Sequence, residues 1–254
     1  MPGPIQSIER AAAILRLLSG RTPRLGVAEL AGELELPKGT VHGILRTLQR
    51  VGFVEQDSES GKYQLGAALL HMGSSYLDGN ELRARALNWS DALATQSGES
   101  VRIGTLHANQ VLIVHHVFRP DDSRQALEVG DLLPAHATAL GKTLLAHHSY
   151  LATELDRGGL QSFTTHTVTD AYALRTALTE VRDRGWAAEV EELITGLASI
   201  AAPIQDRRQV VVGSIGINGS VDRLCDERKP RDDLVSQVRQ AARSVSRELG
   251  AIPW

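Results

Sequence analysis

The stretch VAELAGELELPKGTVHGILRTL, Val27 to Leu48, reads as two short helices joined by a tight turn. Val27, Leu30, Ala31 and Leu34 recur at helical spacing, and Glu35-Leu36 make the turn. Pro37 opens a second helix, a first-turn position that tolerates its missing N–H. In that helix Val41, Ile44, Leu45 and Leu48 share one face by the i, i+3, i+4, i+7 rule. At about 100° per residue the opposite face carries Gly39, Gly43, Arg46 and Arg50, flanked by His42 and Thr47. A helix with an apolar back and a small, cationic front is what a helix-turn-helix places in the DNA major groove.

Working outward, Ser7 is positioned to cap a first helix with Ile8, Ala11, Ala12, Leu15 and Leu18 on its inner face. Phe53 to Gln56 and Lys62 to Leu65 read as short strands, and Asp57 to Gly61 between them is turn chemistry. Three helices and a hairpin make a winged helix-turn-helix, with Lys62 on the wing placed to reach phosphate. Arg46 and Arg50 are the candidates for base edges or phosphate, because guanidinium pairs bidentately with either. Lys38 and Thr40 sit in the first turn, where side chains and N–H groups reach the DNA backbone. A glycine inside a helix costs about 1 kcal/mol against alanine. Gly39 and Gly43 on the outer face therefore suggest close backbone approach to something, or are merely tolerated.

The chain has 254 residues, 42% of them hydrophobic, enough for two domains with separate cores. A net charge of -3 excludes a uniformly basic coat but allows a local basic patch. Residues 1–65 hold eight cationic and seven acidic side chains, so their distribution matters more than their total. Cys225 is the single cysteine, which rules out an intrachain disulfide and suits a reducing cytosol. The sequence offers neither a signal-peptide pattern nor an apolar run long enough to span a membrane. A cytoplasmic location is expected.

Beyond Leu65 a helical run extends to Leu77, and Asp78-Gly79-Asn80 is the most obvious break. Expected domains are 1–66, a winged helix; 67–79, a linker helix; and 80–254, a second domain. In the last, Leu82–Gln96, Thr138–His147, Asp170–Arg184 and Leu234–Leu249 read as helices. Val101–Leu106, Val111–Phe118, Gln125–Val129, Trp186–Val190, Ala198–Pro203 and Val210–Asn218 read as strands. Hairpins mixed with helices argue for an α+β fold around a largely antiparallel sheet.

His136 to Thr143 ends in Gly-Lys-Thr like a phosphate-binding loop, but His136 stands where that loop needs its first glycine. Leu133-Pro134 is also a poor strand exit for such a loop. The N-terminus of the following helix, with unpaired N–H groups, remains a place for an anion. Gly213, Gly216 and Gly219 lack the dinucleotide spacing and instead let a strand bend or approach a ligand. His115-His116 in a strand point to opposite faces, and His147-His148 end a helix, so no metal and no cofactor is expected. Glu189, Glu191 and Glu192 either polarise a ligand or are solvated loop residues. No nucleophile–base pair is readable, so the chain is not expected to be an enzyme.

Several ordered motifs resemble the IclR family of bacterial transcription regulators. They are Ser7 to Ala11 with Ile14-Leu15, Leu36 to His42, Gly52 to Val54, and Tyr63 to Gly66. Further along they are His136 to Lys142, Glu191-Glu192 with Gly196, and Ile200 to Pro203. The resemblance implies a winged helix-turn-helix joined by a helical linker to a GAF/PAS-like α+β effector-binding domain. It implies double-stranded operator DNA and a small organic metabolite as partners, and a homodimer or a homotetramer of two dimers. By position it implies that Ala139 and Leu140 form one wall of the effector pocket, that Glu189 is its acid, and that Ser199, Gly216 and Asn218 face them. Many members carry Arg at Gly43, Cys at Ser199 and a hydroxyl residue at Gly216, so the effector does not carry over. Within the family, Gly39 to Leu48 and Val114 to Asp122 most resemble actinobacterial glycerol-operon regulators. That likeness implies repression of glycerol uptake and phosphorylation genes, relieved by glycerol or its phosphate. The rivals are an activator or dual regulator of another catabolic pathway, such as aromatic-acid degradation, and an enzyme with a helix-turn-helix attached.

Overall fold

The computed structural model describes residues 3–20, 22–78, 80–121, 123, 125–148 and 159–251. Gly79 of the expected break and Asp122 of one family motif lie outside them. The chain divides into two compact units, Met1–Gly79 and Asn80–Trp254.

The first unit holds α1 (Gln6–Leu18), α2 (Val27–Glu33), α3 (Lys38–Arg50), β1 (Val54–Gln56), β2 (Tyr63–Leu65) and α4 (Ala67–Asp78). Ser7 does not cap α1: the helix begins at Gln6 after Ile5, which supplies no side-chain cap, so Ser7 already lies in the first turn. Ile8, expected inside, is exposed, and the inner face is carried by Ile14 and Leu18. These pack with Leu30, Ala31, Val41, Leu45, Leu48, Val54 and Tyr63 in one apolar cluster. The motif's periodicity is therefore a packing pattern, since an amphipathic helix is stabilised chiefly by burying its apolar face. Pro37 precedes the first residue of α3 rather than lying within it, and Glu35 in the turn takes a φ of 52°. β1 and β2 pair antiparallel, and the turn between them is closed by Asp57, which accepts the N–H of Ser60 at 2.8 Å. Leu25 adds a bridge to Tyr63 on the other side of β2.

The second unit holds α5 (Glu81–Ser97), β3 (Ser100–His107), β4 (Gln110–Val117), β5 (Leu132–Pro134), α6 (Ala139–His147), α7 (Ala171–Arg184), β6 (Ala187–Val190), β7 (Leu197–Gln205), β8 (Val211–Ser220), α8 (Val221–Leu224), β9 (Cys225–Asp226), β10 (Lys229–Pro230) and α9 (Asp232–Glu248). The main sheet runs β5-β4-β3-β8-β7-β6, with neighbours antiparallel throughout. Ala108 and Asn109 join β3 to β4 with φ of 45° and 66°, the paired positive values that suit a two-residue hairpin. The strand expected at Gln125–Val129 is absent; β5 forms at Leu132–Pro134 instead. That short edge pairs Leu133 with Val111 of β4, and Pro134 is tolerated because an edge strand leaves one side of its backbone unpaired. Asn80, Thr138 and Asp170 cap α5, α6 and α7 by accepting the N–H groups of Arg83, Gly141 and Ala173. α6 and α7 pack together over Val111, Ile113, Ala187 and Ala201 of the sheet. α5 and α9 form a second helix pair, against β3, β7 and β8.

Candidate DNA-reading face and candidate effector cavity

α3 presents Lys38, Gly39, His42, Gly43, Arg46 and Arg50 to solvent, with Thr40 half-buried. The turn and Pro37 start the helix at Lys38, and burial of Val41, Leu45 and Leu48 fixes its rotation, so these side chains must face out. Among the described residues Lys38, Arg46 and Arg50 make no hydrogen bond or ion pair. Nothing lies within 4 Å of where a Cβ would stand on Gly39 or Gly43, so packing does not require either glycine.

Lys62 is differently placed. Its ammonium pairs with Glu29 at 3.0 Å, and the other oxygen of Glu29 accepts the N–H of Gly26 at 2.5 Å. The Gly26 N–H first and Lys62 second hold the Glu29 carboxyl below its ordinary range. Arg24 reaches the same wing, donating to Gln64 at 2.9 Å and pairing with Asp57 at 3.1 Å. Lys62 thus ties the wing to the start of α2 as it stands here.

In the second unit, strand register gathers the expected pocket residues. Ser199 is the cross-strand partner of both Glu189 and Asn218, and Gly216 stands opposite both Arg102 and Ala201. Residues two apart on a strand face the same way, so these positions share one surface. Over it lies a small cavity lined by Leu140, Glu189, Ser199, Gly216 and Asn218. Ala139 is the exception: it is fully buried outside the lining, and its N–H lies 3.4 Å from the Ser199 hydroxyl oxygen. Arg102, Thr138 and Leu193 also line the cavity, and sequence reasoning missed all three. Thr138 was findable, because a threonine before an apolar helical run is a cap. Arg102 carried one weaker signal, the single arginine of β3 set between Val101 and Ile103. A Cβ on Gly216 would stand 2.5 Å from the carbonyl oxygen of Ile200, so the glycine is required by close strand approach.

Glu189 is 4% exposed. Ser199 donates to one of its oxygens and the Glu192 N–H to the other, each at 3.0 Å. Burial outweighs both bonds and raises its pKa to about 7, with the nearby Glu192 carboxyl adding to the rise and Lys142 opposing it. The three acids of this segment have three fates. Glu189 faces the cavity, Glu191 pairs with Arg228, and Glu192 forms a buried ion pair with Lys142. Lys142 therefore serves no phosphate loop. The start of α6 is not open to an anion as expected, since Thr138 and Ser199 oxygens already accept the Gly141 and Ala139 N–H groups.

A wider, open cleft adjoins through shared Arg102 and Asn218. Its arginines are neutralised locally: Arg102 by Glu128, Arg119 by Asp121 and Arg223 by Glu99. Among the described residues no group of three His, Cys, Asp or Glu side chains could hold a metal. His116 accepts the Glu128 N–H at 3.3 Å, and desolvation holds both His115 and His116 below the ordinary imidazole range.

Residues 7–58 match the IclR helix-turn-helix domain, and residues 74–247 match the bacterial transcriptional regulator IclR C-terminal domain. The chain is 58% identical over 247 residues to the glycerol operon regulatory protein of Streptomyces coelicolor, covering 97% of both chains. It is 55% identical to the glycerol operon regulatory protein of Streptomyces griseus, again over 97% of both. In three dimensions it is similar to the IclR transcriptional regulator of Alicyclobacillus acidocaldarius, with a TM-score of 0.83 at 27% identity, covering 98% of this chain and 100% of that one.

Proposed function

The chain belongs to the IclR family of bacterial transcriptional regulators, and from that premise we propose that it represses a glycerol operon and is released from DNA by glycerol or its phosphate. It is a DNA-binding regulator that responds to a small molecule; the identity of the genes and of the effector is the proposal. The glycerol assignment rests on 58% identity, over nearly the whole chain, to a protein named for that operon. The mechanism rests on one observation: a cationic helix face without a partner among the described residues in one unit, and a cavity with a buried carboxyl in the other.

In this reading residues 1–66 bind the operator, 67–79 link, and 80–254 sense. Arg46 and Arg50 read base edges or phosphate, Lys38, Gly39, Thr40, His42 and Gly43 line the groove contact, and Lys62 exchanges Glu29 for a phosphate. Leu140, Glu189, Ser199 and Asn218 hold the effector over Gly216, with Ala139 supporting Ser199 from behind. Glycerol donates and accepts through each hydroxyl, which suits a carboxyl, a hydroxyl and an amide converging on a small cavity. A second copy covers Ile5 just before α1, Ile8 within it, and Leu70, Met72 and Tyr76 of α4, apolar side chains all more than half exposed. A homodimer of this kind reads a partly palindromic operator, and two such dimers make a homotetramer. No helix among the described residues is long and apolar enough to cross a membrane, which is compatible with work in the cytoplasm.

The test is an electrophoretic mobility shift on the DNA upstream of the glycerol genes. Specific binding at moderate salt, reversed by glycerol or glycerol phosphate and not by an aromatic acid, is the expected result. Binding that neither compound reverses defeats the effector assignment. Falling glycerol-gene expression after deletion of the regulator would make it an activator.

A further inference from the structure

Glu189 is held by a residue that does not line the cavity. Its second oxygen accepts the backbone N–H of Glu192 at 3.0 Å. That N–H points where it does because Glu192 is fastened from two sides. Its carbonyl accepts the hydroxyl of Thr167 at 2.6 Å and, at 3.4 Å, that of Thr164. Its carboxylate pairs with Lys142 of α6, and both side chains are nearly excluded from solvent. The remaining carboxylate oxygen, Oε2, is buried with no hydrogen-bond partner among the described residues.

A buried ion pair of this kind is a poor source of stability. Desolvating two charges costs roughly what their attraction returns, and apolar replacements of similar size are often neutral or stabilising. An orphaned carboxylate oxygen makes the balance worse. We infer that Lys142 and Glu192 are positioning residues of the effector cavity: their pair pins the Glu192 N–H against Glu189 and so fixes which way the Glu189 carboxyl presents itself to a ligand. The next residue in the chain, Leu193, lines the same cavity, so the pin also sets that wall. This rests on the cavity being the effector site.

The test replaces both partners at once, Lys142→Met with Glu192→Met, because either change alone strands a buried charge. The double change removes one positive and one negative charge near Glu189, and their opposed effects on it largely cancel. The other groups facing Glu189, Arg102 across the cavity and the Cys225 thiol, stay in place. Titration of the Glu189 carboxyl is followed by difference infrared spectroscopy of the full-length protein, with Glu189→Gln assigning the band. If the pair positions the N–H, its loss removes a bond that favours the carboxylate, and the midpoint moves up by about one pH unit or more. The double variant then melts at or above the wild-type temperature, while glycerol and glycerol phosphate, used as probes, shift its melting less than they shift the wild type. A wild-type midpoint, or melting well below the wild type, overturns the proposal. Failure of the cavity reading looks different: Glu189→Gln and Ser199→Ala would respond to the probes as the wild type does, whatever the titration shows.

Discussion

The outer face of α3 and the cavity floor at Glu189 treat polar groups in opposite ways. On α3, Lys38, Arg46 and Arg50 project into water with no partner among the described residues, whereas Arg24, Arg102 and Arg223 are paired with carboxylates. At the cavity both oxygens of Glu189, the Ser199 hydroxyl and the Thr138 hydroxyl are all engaged. An exposed charge loses little by waiting for a partner, since water solvates it. A buried one must be satisfied at once or shift its pKa. The reading face therefore contributes almost nothing to its own fold, whereas the cavity is built into its core. Truncating a charged side chain on the first should move DNA affinity and spare stability; changes in the second should move both.

Arg46→Ala breaks the comparison most directly. Loss of a bidentate contact worth about 1–3 kcal/mol lowers operator affinity by roughly five- to 150-fold, with an unchanged melting temperature. A fluorescence-anisotropy titration showing wild-type affinity would remove Arg46 from the reading face.

Glu189→Gln tests the other side through pH. The folded pKa, about 7, lies above the ordinary glutamate value of 4.5, so the folded state binds the proton more tightly. Stability contributed by that proton is present below about 4.5 and is lost as pH rises through about 7. The wild type should therefore lose melting temperature relative to Glu189→Gln between pH 5 and pH 8 in the absence of ligand. Parallel melting curves across that range would mean that Glu189 is not held in a desolvated site.

Gly43→Ala sharpens the contrast. With open space around the position, alanine stabilises α3 by about 1 kcal/mol, and the melting of the first unit should rise. A fall would show that packing, not the outer face, needs the glycine.

The smallest effect belongs to Lys62→Ala. Its exposed link to Glu29 leaves fold stability unchanged. If Lys62 moves to a phosphate on binding, the slope of log affinity against log salt falls by about one; an unchanged slope keeps it a wing tie.

What could be read from sequence divides along the same line. The α3 stripe was legible because every residue that defines it lies within one helix, where 3.6-residue periodicity converts sequence spacing into a face. The Gly213, Gly216 and Gly219 spacing suggests a strand that bends or approaches a ligand; at Gly216 the close neighbour is instead the Ile200 carbonyl of the adjacent strand. Gln125–Val129 does not form the expected strand: only Val129 among its residues strongly favours one, and Val111 pairs with Leu133 instead. Ile8 was misplaced because a first turn can obey helical spacing and still overhang the core. Leu140, Glu189, Ser199, Gly216 and Asn218 were named through family likeness, with no internal signal joining residues up to 78 positions apart.

By itself the sequence determined the helix-turn-helix, its cationic face, the two-part chain and the alternation of strand and helix, because each depends on local spacing and side-chain character. Tertiary structure alone decided that Lys62 meets Glu29, that Lys142 is buried against Glu192, and that Arg102 and Thr138 join Glu189 at one cavity. Those partnerships depend on strand register and helix placement, which are set by burial of the whole core and leave no periodic trace in any single segment.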